Sequence, residues 1–162
     1  TGKTLGIVGF GRIGQKLGKM AKAIGMNVIA FDIFHIPGIE EELGIPYVEM
    51  DELLAKSDFI SVHAPAVDGG ALINAERIAK MKDGVVIINT SRGTNVDEAA
   101  LLDALNSGKV RAAGLDVYAD EPATNVALYS HPMVSCTRHI GSATVEAQGR
   151  IGEELVEIIS KM

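Results

Sequence analysis

Short apolar runs alternate along this chain with stretches in which apolar residues recur at helical spacing. The runs are nearly continuous in apolar residues, which is typical of strands buried on both faces of a parallel sheet. Alternating strands and helices therefore indicate an α/β fold, a doubly wound parallel sheet of about six to seven strands with helices on both faces. The predicted strands are Thr4–Val8, Asn27–Phe31, Phe59–Val62, Val85–Asn89, Val110–Asp116 and Val134–Cys136, with a weaker one at Pro46–Val48.

The intervening stretches predict helices. Between the first two strands one apolar stripe recurs at the spacing of a helix that packs on a core, and Gly25 follows as a stop. Asn95 with Glu98 three positions later resembles a capping box, and the helix that begins there is expected to end at Gly108. The stripe of the first helix is Ile13, Leu17, Met20, Ala21 and Ile24, and the apolar face of the last helix is Leu155, Ile158, Ile159 and Met162.

Composition sets the size of the fold and excludes several classes of partner. With 162 residues, 47% hydrophobic and 22% charged, the chain is long enough for one ordinary globular domain. A net charge of −6 and only 4% aromatic residues argue against binding to nucleic acid or to an anionic membrane surface. The apolar stretches are too short to span a membrane, and no secretory signal is visible, so we expect a cytoplasmic protein.

The single cysteine and the ends of the chain add two expectations. Cys136 alone excludes an internal disulfide and a multi-cysteine zinc site, and its place at the end of an apolar run predicts a buried, inert thiol. No metal site is predicted. The chain starts at Thr1 directly in a strand pattern and stops inside an apparent helix. We therefore expect residues 1–162 to be a single domain excised from a longer protein.

Residues Gly9 to Gly14 fit the motif G-x-G-x-x-G in the context that the motif requires. The motif follows the first predicted strand and opens the first predicted helix. Gly9 permits a tight turn, Gly11 allows a pyrophosphate to approach the backbone, and Gly14 allows helix and strand to pack closely. The free N–H groups at a helix N-terminus favour phosphate. The motif thus predicts a Rossmann dinucleotide site, and the alternative is a tight glycine turn that binds nothing.

An acidic residue, Asp32, ends the second predicted strand, where dinucleotide-binding folds place their ribose-binding carboxylate. This carboxylate is suited to accept hydrogen bonds from both hydroxyls of a ribose. It would repel a 2′-phosphate, so NAD is favoured over NADP.

Three further polar residues follow the strands at the sheet edge where ligands bind in such folds: Arg92, Glu121 and His139. An arginine binds a carboxylate through two parallel hydrogen bonds, and a histidine exchanges a proton near neutral pH. An acid beside the histidine orients its ring. With a nicotinamide, these groups suit the oxidation of a 2-hydroxy acid. The alternative is an Arg–Glu ion pair beside an exposed histidine.

Taken together, these motifs resemble those of a known family. Over essentially all 162 residues the chain is similar to the NAD-binding domain of the D-isomer-specific 2-hydroxyacid dehydrogenases. The stretch from His139 to Gly152 looks most like phosphoglycerate dehydrogenases, the enzymes of serine biosynthesis. The shared strings are the glycine loop, Val62-His63-Ala64-Pro65, Leu72-Ile73-Asn74, Ile88 to Gly93, Gly114-Leu115-Asp116-Val117, Glu121-Pro122 and His139-Ile140-Gly141.

The resemblance implies a role for each matching residue. Arg92 would bind the substrate carboxylate and carbonyl oxygen, and His139 would be the acid/base at the C2 oxygen. Glu121 would pair with His139, and Asp116 would hold the carboxamide or ribose of the nicotinamide. The implied cofactor-binding set is Gly9, Gly11, Arg12, Ile13, Gly14, Asp32, Ile33, His63, Ala64, Pro65, Thr90, Ser91, Arg92, Asp116, His139 and Gly141.

The sequence also departs from the family pattern. Arg138 stands where family members usually carry proline, and a cation there disfavours the protonated form of His139. Residues Asp68 to Gly70 replace a more polar loop and are expected to be flexible. The substrate lobe, which the family builds from chain before and after this domain, is absent. We therefore expect NAD(H) binding with little or no turnover of 3-phosphoglycerate or a similar D-2-hydroxy acid.

Two other functions remain open from the sequence. One is an NAD-sensing interaction module of the transcriptional co-repressor type, which shares this domain. The other is an engineered scaffold that has the fold without the turnover. The resemblance further implies a homodimer that forms through the nucleotide-binding domain.

Overall fold

The fold is a six-stranded parallel sheet, seen in a computed structural model that describes residues 1–161. The strand order is β2-β1-β3-β4-β5-β6, which confirms the predicted α/β doubly wound architecture. The strands agree with the sequence prediction except that β5 ends one residue earlier and Tyr47 forms only an isolated bridge to Ala30. Their bounds are β1 Thr4–Val8, β2 Asn27–Phe31, β3 Phe59–Val62, β4 Val85–Asn89, β5 Val110–Leu115 and β6 Val134–Cys136.

Helices connect the strands on both sides of the sheet. Within residues 1–161 they are α1 Arg12–Ala23, α2 Ile39–Leu43, α3 Met50–Lys56, α4 Ala75–Lys80, α5 Glu98–Asn106, α6 Val126–Tyr129 and α7 Val145–Ser160, with a 3-10 turn at Gly93–Asn95. Met162, predicted as part of the apolar face of the last helix, lies outside the described residues.

The sheet buries one core on each face, because successive side chains of a strand point to opposite sides. On one face, Leu5 and Ile7 of β1 pack with Val28 and Ala30 of β2 beneath α1 and α2. The larger core lies on the other face, where residues of β1, β3, β4 and β5 pack against α3, α4, α5 and α6. This two-sided burial explains why the strands are continuous in apolar residues rather than alternating.

Helix α1 packs on the sheet through small residues, and only part of the predicted stripe lies on its buried face: Ala21 is buried, and Leu17 is partly buried against the core. Its buried residues are Gly14, Gly18 and Ala21. By contrast, Ile13, Met20 and Ile24 are 67%, 61% and 70% exposed. A Cβ atom at Gly18 would lie 2.7 Å from the side chain of Ile45, so the helix backbone approaches its neighbours too closely for a larger residue.

Two more local predictions are wrong. Helix α5 is capped by Asp97, whose side chain accepts hydrogen bonds from the N–H groups of Ala99 and Ala100, so Asn95 and Glu98 form no capping box. Cys136 is exposed rather than buried. It ends β6, an edge strand that pairs only with β5 in the described sheet, so one side of the strand lacks cover.

Candidate functional site

The turn between β1 and α1 is built on glycines that the surrounding backbone requires. Gly9 has φ 93°, a left-handed conformation that side chains disfavour, and a Cβ atom there would lie 2.6 Å from the backbone nitrogen of Ala64. A Cβ atom at Gly14 would collide with the carbonyl oxygen of Gly9. These two contacts fix the turn against the start of α1 and against the segment that follows β3.

Gly11 differs from the other two motif glycines. Its φ of −76° suits any residue, and a Cβ atom there would meet no protein atom within 4 Å. Nothing in the described fold therefore requires glycine at this position. The open space beside Gly11 lies at the N-terminus of α1, where Arg12 and Ile13 are exposed and the first N–H groups of the helix have no intrahelical acceptor.

Asp32 lies beside this turn. One carboxylate oxygen, Oδ2, accepts a hydrogen bond of 2.6 Å from the N–H of Phe10, and the other accepts one of 3.1 Å from the N–H of Phe34. The carboxylate therefore also anchors the glycine turn. It contributes to one cavity with several of the residues predicted to bind cofactor, namely Gly9, Gly11, Ile33, His63, Ala64 and Pro65.

His63 is half-buried at the carboxyl end of β3. Its Nε2 atom lies 2.8 Å from the hydroxyl oxygen of Ser61, two residues earlier on the strand. Burial lowers the pKa of His63, so the ring is held in its neutral form on the wall of the cavity.

His139 and Glu121 are paired at the carboxyl end of the sheet. The Nδ1 atom of His139 lies 2.9 Å from Oε2 and 3.0 Å from Oε1 of Glu121. The hydrogen bond from His139 holds the pKa of Glu121 below its ordinary value. The two side chains are 44% and 43% exposed. The alternative of an Arg–Glu ion pair is not observed, since Arg92 pairs with no carboxylate among residues 1–161.

Asp116 fixes the loop that carries His139. Its Oδ1 atom accepts hydrogen bonds from the hydroxyl of Thr137 and the N–H of Ile140, and its Oδ2 atom accepts one from the N–H of Gly141. Burial raises the pKa of Asp116, but these hydrogen bonds outweigh burial and leave the pKa below its ordinary value. His139 itself has φ 54°, a strained conformation for a non-glycine residue, which these contacts on both sides maintain.

The segment that carries Thr90, Ser91 and Arg92 is shaped by two buried asparagines that the sequence reasoning missed as site residues. Oδ1 of Asn89 accepts hydrogen bonds from the N–H and the hydroxyl of Ser91, and its amide donates to the carbonyl of Arg92. The amide of Asn95 donates to Ala64, to Pro65 and to Ser91. The bonds from Asn95 join the segments after β3 and β4. No local sequence pattern predicts such long-range partners.

Arg92 itself is exposed, and its Nη1 atom donates a hydrogen bond of 2.7 Å to the carbonyl of Ser91. Arg138 lies beside His139 on a second cavity, next to the His139–Glu121 pair. The other residues of this cavity are Tyr118, Pro122, Ala123 and Tyr129. Arg138 and His139 therefore line the same cavity.

Gly93 brings the segment that carries Arg92 into backbone contact with the segment after β5. A Cβ atom at Gly93 would overlap the carbonyl group of Tyr118. We expect Gly93→Ala to lower the free energy of unfolding by about 1–3 kcal/mol, because backbone must move to admit the methyl group. Urea denaturation measures this change. Gly114→Ala is the matched control, because a Cβ atom at that position in β5 would approach only the side chain of Ile88, at 3.9 Å. An unchanged midpoint for Gly93→Ala would show that the two segments separate easily.

Among residues 1–161, no helix has both the length and the apolar character needed to cross a membrane. The same residues include no group of three or more His, Cys, Asp or Glu side chains placed to hold a metal ion.

Comparison with known proteins relates these features to one family. Residues 1–141 match the family "D-isomer specific 2-hydroxyacid dehydrogenase, NAD binding domain". The chain is 52% identical to a hydroxypyruvate reductase of Thermotoga maritima, over 99% of the chain and 53% of that protein. It is 48% identical to a D-3-phosphoglycerate dehydrogenase of Mycobacterium tuberculosis, over 98% of the chain and 30% of that protein. The chain thus spans about half or less of the length of these relatives.

Solved structures give the same relationship. A glyoxylate reductase from Paecilomyes thermophila superposes with a TM-score of 0.88 at 44% identity, covering 94% of this chain and 46% of that one. A D-lactate dehydrogenase from Aquifex aeolicus, complexed with NAD and lactic acid, gives a TM-score of 0.88 at 38% identity, covering 98% of this chain and 52% of that one.

Proposed function

Because this chain belongs to the D-isomer-specific 2-hydroxyacid dehydrogenase family and corresponds to its NAD-binding domain, we propose that it holds NAD(H) for the interconversion of a small 2-hydroxy acid and its 2-oxo acid. The observation that carries the proposal is the His139–Glu121 pair, at 2.9 Å, on the sheet edge to which the glycine turn also belongs. A histidine oriented by a carboxylate is the acid/base that this chemistry requires.

The residues around the glycine turn fit a dinucleotide. The space that a Cβ atom at Gly11 would enter is free, and we assign it to the pyrophosphate, with the N–H groups of Arg12 and Ile13 as donors. Asp32 would accept from the adenosine ribose, and His63, Ala64 and Pro65 would line the adenine side. Thr90 and Ser91 would lie near the second ribose, and Asp116, with Gly141 beside it, near the carboxamide.

The acid/base step follows from the pairing of His139. An ionised carboxylate only accepts hydrogen bonds, so Nδ1 of His139 carries a proton and donates the hydrogen bond to Glu121. Nε2 is then the nitrogen that takes a proton from the C2 hydroxyl during oxidation and returns it during reduction. Arg92 would hold the substrate carboxylate through two parallel hydrogen bonds. The residues around the glycine turn would hold NAD(H), which would supply the acceptor or the donor of the hydride at C2.

The substrate itself is a narrower proposal. The relatives named above include a hydroxypyruvate reductase, a glyoxylate reductase and a phosphoglycerate dehydrogenase. The substrates in these three enzyme names are short 2-hydroxy or 2-oxo acids. We place the substrate of the whole protein in that class. Phosphoglycerate is the leading candidate, because residues His139 to Gly152 look most like phosphoglycerate dehydrogenases.

Calorimetric titration with NADH tests the cofactor part of this proposal directly. We expect saturable binding at one site per chain. A Kd weaker than about 1 mM, the upper end of the usual range of KM values, would contradict the proposal.

We expect NADH to bind at least about tenfold more tightly than NADPH, because the 2′-phosphate would meet the Asp32 carboxylate. Fluorescence titration with both cofactors measures the ratio. Asp32→Asn should narrow the ratio by removing the charge, and it is preferable to Asp32→Ala because the amide oxygen still accepts a hydrogen bond from Phe10. Equal affinities for the two cofactors in the unaltered chain would place the ribose elsewhere.

A further inference from the structure

Glu98, the first residue of α5, bonds to a segment far from it in sequence. Its Oε1 atom accepts hydrogen bonds of 2.8 Å from the N–H of Ala119 and 2.8 Å from the hydroxyl of Tyr129. Its Oε2 atom accepts one of 3.3 Å from the side-chain amide of Asn125. The three donors flank residues 120–124, the loop that carries Glu121. One carboxylate thus holds both ends of this loop.

The carboxylate of Glu98 acts here as a structural hydrogen-bond acceptor. No lysine, arginine or histidine pairs with Glu98 among residues 1–161, so its carboxylate is satisfied by neutral donors. Burial, and then the hydrogen bond to Glu98, raise the pKa of Tyr129, which keeps its hydroxyl protonated as a donor. Asn125 is fixed as well, because its Oδ1 atom caps α6 through the N–H of Leu128.

From the loop, the contacts continue to the catalytic pair. The ring of Tyr129 meets that of Tyr118 edge to face, with centroids 4.8 Å apart. The N–H of Tyr118 donates to Oε1 of Glu121 at 3.4 Å, and its hydroxyl donates to the carbonyl of Thr137, two residues before His139. Glu98 therefore supports the position of Glu121 relative to His139 without contacting either of them.

Glu98 also belongs to the segment that carries Arg92. The 3-10 turn at Gly93–Asn95 and the cap residue Asp97 join Arg92 to the start of α5. Gly93 touches the backbone of Tyr118, so the two segments meet at a second point. Contacts at both ends of residues 92–98 thus set the separation between two proposed site residues. These are Arg92, which would bind the substrate carboxylate, and Glu121, which pairs with His139.

We propose that Glu98 is a positioning residue, which fixes the Glu121 loop so that Glu121 pairs with Nδ1 of His139. This inference rests on the proposed function for its meaning, because positioning matters only if His139 exchanges a proton with substrate. The pairing itself is a property of the chain alone and is measurable without cofactor.

The test compares ¹⁵N-labelled variants by long-range ¹H–¹⁵N spectra of the histidine rings at one fixed pH. Glu121→Gln defines the spectrum of His139 without its ionised partner. We expect Glu98→Ala to move the His139 ring signals at least half of the way toward that spectrum. Glu98→Gln should move them less, since its amide oxygen still accepts from Ala119 and Tyr129. His63, which lies in the other cavity, is the internal reference.

Asp97→Ala is the matched control for loss of stability. It removes the cap of α5 one residue away but touches none of the three donors to Glu98. It should lower the urea midpoint and leave the His139 signals unchanged. If Glu98→Ala unfolds the chain, Glu98→Gln and Tyr129→Phe provide the same comparison with smaller changes.

The inference is overturned if the folded Glu98 variants keep the wild-type His139 signals, or if Asp97→Ala moves them equally. NADH titration of the unaltered chain is run in parallel. Absence of NADH binding there would contradict the proposed function while leaving the histidine spectra to decide the role of Glu98.

Discussion

Replacing Gly11 by valine is expected to abolish NADH binding while the domain stays folded. The backbone at Gly11 is extended, and a Cβ atom would meet no protein atom within 4 Å, so the fold itself accepts a side chain. A branched side chain would occupy the space that we assign to the pyrophosphate. We expect affinity to fall at least about a hundredfold, or roughly 2.7 kcal/mol. Fluorescence titration measures the affinity, and circular dichroism and urea unfolding establish the folded state.

Two further variants serve as comparisons for Gly11→Val. Gly149→Val makes the same chemical change at another uncrowded glycine, on α7, and should leave NADH affinity as in the unaltered chain. Gly9→Val should instead destabilise the domain, because Gly9 has φ 93° and lies against the backbone of His63 and Ala64. Normal NADH affinity in a folded Gly11→Val variant would mean that the pyrophosphate lies elsewhere.

This chain is expected to bind NADH yet to reduce 2-oxo acids at rates far below the enzyme median of about 10 s⁻¹. Its proposed catalytic groups are open to solvent: His139 and Glu121 are 44% and 43% exposed, and Arg92 is exposed as well. Water screens the attraction between Arg92 and a carboxylate, and the reacting carbon is poorly held. Positioning alone lowers reaction barriers by about 7–11 kcal/mol, so a loss of roughly 10⁵-fold or more in rate is expected.

The assay follows the absorbance of NADH with hydroxypyruvate, glyoxylate or phosphohydroxypyruvate. A trace rate that disappears in both His139→Ala and Arg92→Ala would support the assigned roles. Turnover near 10 s⁻¹ would show that residues 1–162 suffice for catalysis. A longer protein containing this domain that binds NADH and reduces none of these acids would favour the interaction module over the enzyme.

The strands were predictable nearly to the residue because a parallel sheet buried on both faces leaves continuous apolar runs, and β1 through β4 match their predicted bounds. The buried face of α1 was predictable only in part. Periodicity correctly included Leu17 and Ala21, but it also included the exposed Ile13, and it missed Gly14 and Gly18, through which the helix approaches the sheet. Whether small or large residues face a core depends on how closely the backbones approach, and this distance is set by tertiary packing.

The same distinction holds for the site. The positions of Asp32, Glu121 and His139 at strand ends follow from the sequence pattern, because parallel strands end at one edge of the sheet. Their partners do not follow from it. The bonds from Thr137 to Asp116 and from Ala119 to Glu98 join residues about 21 positions apart, and they depend on how loops cross that edge. The spacing of Asn95 and Glu98 imitates a local motif, whereas both side chains bond to distant segments.

Helix α7 has a consequence for how this chain unfolds. None of its side chains is buried, and its ion pair with α1, Arg12 to Glu154 at 3.7 Å, joins two largely exposed side chains. A helix of 16 residues without burial is marginal in water, because little offsets the entropy of ordering it. We expect α7 to melt separately from the sheet. The cooperative unit is then smaller than the whole chain, and the denaturant m-value will be lower than chain length implies, since that slope scales with the surface exposed in the transition.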